Sequence, residues 1–190
     1  MRVAEVLLFH HAQGLTPGVK AFADELRAAG HVVHVPDLYD GKAFESVDDG
    51  VAHARGVGFG TILERGRVAA DDLPAELVYA GFSLGVMPAQ MLTQTRPGAK
   101  GALLFHGALP LSEFGDAWPE GVPLQIHMMD EDEWAKEDLP AARELEEAAG
   151  ADLYLYPGEK HLFADNSLDD YDAHCAMLLK QRVVEFLNAV

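Results

Sequence analysis

The chain has 190 residues, 49% of them apolar, which suits one domain with a substantial core. Its 31 acidic and 14 basic residues give a formal net charge of −17, which argues against nucleic acid and anionic membranes as partners. No stretch approaches the roughly 20 apolar residues of a membrane span, and one cysteine, Cys175, excludes an internal disulfide. The run Val3–Phe9 is interrupted by Glu5 and lacks the flanks of a signal peptide, so a cytoplasmic protein is expected.

Short apolar runs and amphipathic segments alternate along the chain. In order, the predicted elements are strand Val3–Phe9, helix Pro17–Ala29 capped by Thr16, strand His31–Val35, helices Ser46–Arg55 and Thr61–Ala70, strand Glu76–Ala80, helix Val86–Thr93, strands Gly101–His106 and Pro123–Met129, helix Leu139–Ala149, strand Asp152–Tyr156 and helix Leu168–Leu187. Strands that alternate with helices pair in parallel. The sequence therefore predicts an α/β fold, a mostly parallel central sheet with helices on both faces, in a single domain over residues 1–190.

The segment Gly81–Gly85 reads Gly-Phe-Ser-Leu-Gly and fits the pattern G-x-S-x-G. It lies between a predicted strand and a predicted helix, which is the context that a nucleophile elbow requires. Glycines two residues before and after the serine let the strand and helix backbones pass close together, and the turn directs the serine toward the positive end of the helix. Ser83 is therefore the predicted nucleophile.

A serine hydroxyl needs a histidine to take its proton and an acid to fix the tautomer of that histidine. In this architecture the acid and then the histidine follow the serine along the chain, on loops after later strands. His161 follows the last predicted strand directly, whereas the two other candidate histidines lie inside a strand and inside the terminal helix. His161 is the predicted base. The acid is expected among the four carboxylates at 130–133, and spacing alone does not select one of them.

Three aromatic residues, Phe114, Trp118 and Trp134, fall on predicted loops after strands. Folds of this type build their binding pockets there, so these residues are candidate pocket residues. The pair His10–His11 does not suit a metal ion, because neighbouring residues on a strand point to opposite faces. No metal and no other cofactor is expected.

Four segments together resemble the dienelactone hydrolase family of the α/β-hydrolase fold over nearly the whole chain. They are Leu7–Gly14, Pro36–Tyr39, Gly81–Gly85 and Tyr156–Phe163. The elbow is common to many hydrolases, whereas the other three in this order are more particular to the family. The resemblance implies the α/β-hydrolase fold and hydrolytic chemistry.

The family pattern also implies roles for residues around the elbow. Its acid loop matches His127–Asp132, which places the catalytic aspartate at Asp132, with Asp130 as the alternative. Its oxyanion hole uses the backbone amide after the nucleophile, here Leu84. A second amide comes from the loop after the first strand, which matches Ala12.

The chain departs from the family at three positions. Ser83 stands where the founding enzymes carry a cysteine, and His11, a further candidate pocket residue, stands where they place an acidic side chain. Asp165 stands where they hold the substrate carboxylate with an arginine. An aspartate at that position is expected to repel an anionic lactone.

We therefore expect a serine hydrolase that forms an acyl-enzyme on Ser83, with a small carboxylic ester, lactone or thioester as substrate. The alternative is a non-catalytic binding protein that keeps the same fold.

Overall fold

The structure is a computed structural model that describes residues 2–190. Six parallel strands form one sheet in the order β2-β1-β3-β4-β5-β6. The strands are β1 (Glu5–Phe9), β2 (Val32–His34), β3 (Val78–Phe82), β4 (Gly101–Phe105), β5 (Leu124–Met129) and β6 (Asp152–Tyr156). The helices are α1 (Pro17–Ala28), α2 (Val47–Val57), α3 (Phe59–Ala69), α4 (Val86–Thr95), α5 (Glu133–Ala149) and α6 (Ala173–Ala189). The prediction of a parallel sheet with helices on both faces is confirmed.

The order of the strands creates a switch point beside β1. The chain runs outward from β1 to β2, then returns to place β3 on the other side of β1 and continues outward to β6. In open α/β sheets, ligands bind outside the carboxyl ends of the strands at such a switch point. The loops after β1 and β3 therefore lie where a binding site is expected.

Alternate residues of each strand bury their side chains in two cores, one on each face of the sheet. In β1, Val6 and Leu8 pack with α1 and α6, whereas Leu7 and Phe9 pack on the face covered by α2 to α5. All four side chains are fully buried. Burial on both faces explains why this strand is a continuous apolar run.

The predicted start of the helix before β6 is wrong. The sequence predicts a helix from Leu139, but α5 begins at Glu133. The Asp132 side chain accepts a hydrogen bond from the backbone N–H of Trp134 and caps the helix there, so Pro140 lies inside it. Of the four carboxylates at 130–133, Asp132 is therefore the N-cap of α5 and Glu133 is its first residue, whereas Asp130 and Glu131 precede the helix.

The predicted start of the terminal helix is also wrong. α6 begins at Ala173 rather than Leu168, because the Asp172 side chain accepts the backbone N–H of Cys175 and caps the helix. A turn precedes it, in which the N–H of Tyr171 bonds the carbonyl of Leu168.

Candidate active site

Ser83 stands on a tight turn between β3 and α4. Its φ angle is +47°, which is uncommon for a residue with a side chain. A Cβ on Gly81 would overlap the carbonyl group of Gly85, and a Cβ on Gly85 would lie 2.5 Å from the carbonyl oxygen of Phe9. Both glycines are therefore required by close backbone contacts. The turn leaves Ser83 partly exposed at the carboxyl edge of the sheet, although its neighbours are buried.

A continuous line of hydrogen bonds joins Ser83, His161 and Asp132. Oγ of Ser83 lies 2.7 Å from Nε2 of His161, and Nδ1 of His161 lies 2.7 Å from Oδ2 of Asp132. The anionic carboxylate can only accept, so Nδ1 donates to Asp132 and Nε2 is free to accept the serine proton. His161 and Asp132 are 6% and 2% exposed, which shields their hydrogen bond from water.

The structure places Asp132, and not the alternative Asp130, against His161. Asp130 instead accepts a hydrogen bond from the backbone N–H of Gly158. The N–H of Glu131 donates to the carbonyl of Gly158, so the loops after β5 and β6 are joined. Asp130 holds the loop that carries His161, and Asp132 contacts the imidazole itself.

Two backbone amides lie next to the elbow. Leu84 follows Ser83 at the start of a short 3₁₀ turn, where N–H groups have no acceptor within the helix. The N–H of Ala12, on the loop after β1, makes no hydrogen bond within residues 2–190. The backbone of Gly85 packs on the carbonyls of Phe9 and His10, which brings this loop against the elbow.

His11 does not line a pocket, contrary to expectation. Its side chain is fully buried, with Nε2 2.8 Å from Oδ2 of Asp165 and Nδ1 accepting the N–H of Gln13. Because Nδ1 accepts, His11 carries its proton on Nε2 and donates it to Asp165. His11 therefore fixes the turn that contains Ala12.

Asp165 is likewise buried rather than exposed in a pocket, so it does not contact a substrate directly, and its effect on an anionic substrate stays a prediction. It is 2% exposed and accepts hydrogen bonds from His11, Thr16 and Ser167. Burial raises the pKa of Asp165, but these hydrogen bonds outweigh burial and hold the pKa at about 2. The carboxylate joins the loop after β1 to the loop that carries His161.

Only one of the three predicted pocket aromatics lies at the site. The Trp134 ring centroid is 5.8 Å from that of His161, and the side chain is 41% exposed. Phe114 lies beside the last turn of α4, since a Cβ on the adjacent Gly115 would be 3.9 Å from Nε2 of Gln94. That turn is at the amino edge of the sheet, away from Ser83.

Trp118 also lies at the amino edge. Its indole N–H donates to the carbonyl of Val122, two residues before the start of β5. The expectation was wrong for Phe114 and Trp118 because the loop after β4 crosses from the carboxyl edge to the amino edge of the sheet, so only its first residues remain near Ser83.

Asp138 lies at the site and was not predicted. Its Oδ2 atom is 3.4 Å from the backbone nitrogen of Ala108. A Cβ on Gly107 would lie 2.9 Å from that oxygen and 4.0 Å from Cα of Ser83. Burial raises the pKa of Asp138 to about 6, with the Ala108 N–H and His161 acting in the opposite direction.

His106 is the second residue that sequence reasoning missed. It is buried beneath His161, with ring centroids 6.1 Å apart, and packs on Phe82 and Phe163. Neither ring nitrogen has a hydrogen-bond partner within residues 2–190, and burial holds the pKa of His106 well below 6.5. In the sequence it is only the last residue of an apolar run.

A cleft of about 550 Å³ opens beside the loop after β1, lined by residues that include Gln13, Thr16, Phe44 and Leu168. A concavity of about 630 Å³ lies at the opposite edge of the sheet, around Glu5, Lys100 and Pro123. The second is remote from Ser83, and neither of the two is lined by Ser83, His161 or Asp132.

Neither a metal cluster nor a membrane-crossing helix occurs in the described part of the chain. Across residues 2–190, no three His, Cys, Asp or Glu side chains are grouped so as to hold a metal ion. None of the helices there has the length and apolar character needed to cross a membrane.

The family model described as the dienelactone hydrolase family matches residues 2–190. Among solved structures, a dienelactone hydrolase-like promiscuous phosphotriesterase from metagenomic libraries superposes with a TM-score of 0.79 at 19% identity, covering 98% of this chain and 86% of that one. A dienelactone hydrolase from Anabaena variabilis gives 0.64 at 17% identity, covering 98% and 86%. The thioesterase domain from the curacin biosynthetic pathway gives 0.64 at 17%, covering 96% and 91%. At these identities the structures show a shared α/β-hydrolase fold.

Proposed function

Because the chain belongs to the dienelactone hydrolase family, we propose that it is a serine hydrolase that cleaves a small carboxylic ester, lactone or thioester. The hydrogen-bonded line from Ser83 through His161 to Asp132, on a strained elbow, carries this proposal. The chain is a single domain, and the small-molecule substrate enters at the carboxyl edge of the sheet.

In the first half of the reaction, Oγ of Ser83 attacks the carbonyl carbon while Nε2 of His161 takes the hydroxyl proton. The bond to the leaving group then breaks, and His161 passes its proton to the departing oxygen or sulfur. Asp132 holds the imidazole in the required tautomer and stabilises the imidazolium. The products are an acyl ester on Ser83 and the free alcohol or thiol, or, from a lactone, a single acyl ester on Ser83 that carries the new hydroxyl group.

In the second half, His161 takes a proton from water, the resulting oxygen nucleophile attacks the acyl carbon, and Oγ of Ser83 leaves with that proton. The negative oxygen that forms in both halves is stabilised by the N–H groups of Leu84 and Ala12. Such preorganised donors contribute about 3–4 kcal/mol each in related chemistry. The unpaired N–H of Ala12 supports this role.

A fluorophosphonate probe tests the proposal. Such a probe reacts with an activated serine, so we expect one label per chain, located on Ser83 by mass spectrometry and absent in Ser83→Ala. Ser112, which is exposed on the loop after β4, provides the matched control, and Ser112→Ala should be labelled at the wild-type rate. If folded wild-type protein takes no label and hydrolyses no p-nitrophenyl ester or lactone, the non-catalytic alternative is correct.

A further inference from the structure

Two side chains of α5 flank the Ser83–His161 pair from one side. Trp134 and Asp138 are four residues apart and therefore share one helix face. The indole packs on the His161 ring at 5.8 Å between centroids. The Asp138 carboxylate lies across Gly107 from Ser83, since a Cβ on that glycine would stand 2.9 Å from Oδ2 and 4.0 Å from Cα of the serine. A substrate group on this side of the nucleophile meets an aromatic ring and a carboxylate.

The carboxylate of Asp138 has no cation beside it. None of the ion pairs within residues 2–190 includes Asp138, and Lys136 pairs with Glu131 and Glu133 instead. Lys160, next to His161 in the chain, donates to the backbone carbonyl of Tyr171. A partly buried carboxylate with one long hydrogen bond is poorly compensated, and the raised pKa of Asp138 reflects that burial. A cation brought to this side of the site would supply the missing partner.

The aromatic neighbour suits the same ligand. Trp134 is 41% exposed, so part of its side chain remains open to solvent beside His161. The indole face attracts ammonium groups more strongly than the rings of tyrosine or phenylalanine do. A carboxylate and an indole one helical turn apart therefore favour a positively charged group over a neutral group of the same shape.

We propose that Trp134 and Asp138 form a specificity subsite for an ammonium-type group on the leaving group of the substrate. The leaving-group side is assigned because Trp134 packs on His161, which delivers the proton to that group. This inference rests on the proposed serine hydrolase function and adds the charge of the preferred substrate to it.

Two structural roles of Asp138 compete with the proposal. In one, the carboxylate only accepts the N–H of Ala108 and fixes the loop after β4. In the other, it stabilises the protonated form of His161. Either role would change the reaction with every substrate by the same factor, whereas a cation subsite changes the ratio between a charged and an uncharged substrate.

The test uses two organophosphonates that differ by one atom. One is an O-ethyl methylphosphonothiolate with a thiocholine leaving group, and the other carries 3,3-dimethylbutanethiol, in which carbon replaces the quaternary nitrogen. In each, Oγ of Ser83 attacks phosphorus, the thiolate leaves, and His161 takes the serine proton. Second-order rate constants for thiol release, each divided by the rate with hydroxide, give a charge-selectivity ratio that is free of leaving-group reactivity.

We expect wild-type protein to favour the cationic reagent about 10-fold or more, in line with one ion pair and one cation–π contact. Asp138→Asn should lower the ratio about 5- to 10-fold while the neutral reagent reacts within about 3-fold of wild type, and Trp134→Leu should lower the ratio less. The matched control is Glu137→Gln, which removes an equal charge from an exposed neighbour and should keep the wild-type ratio.

A wild-type ratio of one or below overturns the inference, and so does an Asp138→Asn variant that reacts more slowly with both reagents while its ratio is unchanged. These results leave the serine hydrolase intact, because Ser83 still reacts. Failure of both reagents and of the fluorophosphonate probe to modify folded wild-type protein overturns the hydrolase itself.

Discussion

Asp130 and Asp132 are two residues apart, but only the second reaches the imidazole. Oδ2 of Asp132 is 2.7 Å from Nδ1 of His161, and its other oxygen accepts the N–H of Trp134. Asp130 bonds a backbone amide of the adjoining loop. Substitution of each aspartate by asparagine therefore separates orientation of the base from support of its loop.

We expect Asp132→Asn to lower kcat by about 10⁴-fold, because the asparagine no longer selects the tautomer in which Nε2 accepts the serine proton. Ser83→Ala and His161→Ala should cost roughly 10⁴- to 10⁶-fold. Asp130→Asn should stay within about 10-fold of wild type, since it alters one hydrogen bond at the surface. Steady-state kinetics with p-nitrophenyl acetate measure all four. If Asp130→Asn instead had the far lower kcat and Asp132→Asn were nearly normal, Asp130 would be the residue that orients His161.

The site residues that could be predicted from the sequence are those marked by a short-range sequence pattern, whereas the others depend on contacts between distant parts of the chain. Ser83 sits in a five-residue motif, and His161 directly follows a strand, so short-range patterns suffice for both. The hydrogen bond between His11 and Asp165 joins residues 154 positions apart, and no local sequence pattern at either residue predicts it. Asp138 lies at the site because α5 begins at Glu133. The sequence predicts a helix start at Leu139, which leaves Asp138 outside the helix, so its place at the site was not predicted.

At the scale of elements, α2 supports the loop that carries Ala12. Gly50 of α2 packs directly on the carbonyl group of Ala12, where a Cβ would overlap the oxygen. Gly56, near the other end of the same helix, has open space around its Cβ position. The two glycines therefore offer a matched pair of substitutions.

We expect Gly50→Ala to push the Ala12 amide out of place and to lower kcat by about 10- to 100-fold, with a smaller change in KM. Gly56→Ala should keep full activity and raise the free energy of unfolding by about 0.5–1 kcal/mol, because alanine favours a helix interior over glycine. Ester hydrolysis and urea unfolding measure both effects. Wild-type kcat in a folded Gly50→Ala protein would contradict the assigned role of this loop.

Alternation of strands and helices was enough to predict the parallel sheet, because the strands are short apolar runs and the helices are longer segments that also carry polar residues. The two wrong helix starts share one cause. Asp132 and Asp172 lie within polar segments, where a capping aspartate looks like any other solvated carboxylate. The capping hydrogen bond becomes visible only when the backbone N–H groups that it satisfies are in place.

At the scale of the whole molecule, the interior holds several neutral imidazoles. Burial lowers the pKa of His10 to about 4 and that of His127 to about 3, and it holds that of His106 well below 6.5. All three are essentially unexposed. In the unfolded chain each of them binds a proton near pH 6.5. The unfolded state therefore holds more protons than the folded state once the pH falls below 6.5.

This difference fixes the sign of the pH dependence. The three histidines lower the free energy of unfolding as the pH falls from about 6.5 toward 4, each by about 1.4 kcal/mol per pH unit at full effect. Asp138 acts in the opposite direction, because its pKa is raised to about 6 and the folded state therefore binds its proton first. Three histidines less one carboxyl leave the unfolded state with about two more protons from these four groups, so we expect them to lower the free energy of unfolding by about 2–3 kcal/mol per pH unit between pH 6 and 4.5.

Urea unfolding at pH 8, 6 and 4.5 measures this loss, and His106→Leu isolates one contributor. Neither His106 nitrogen has a hydrogen-bond partner within residues 2–190, so the leucine loses no protein hydrogen bond. The slope of the free energy of unfolding against pH should decrease by about 1.4 kcal/mol per pH unit, which corresponds to one proton. A free energy of unfolding that is flat from pH 6.5 to 4.5 in the wild-type protein would mean that these imidazoles are protonated in the folded state.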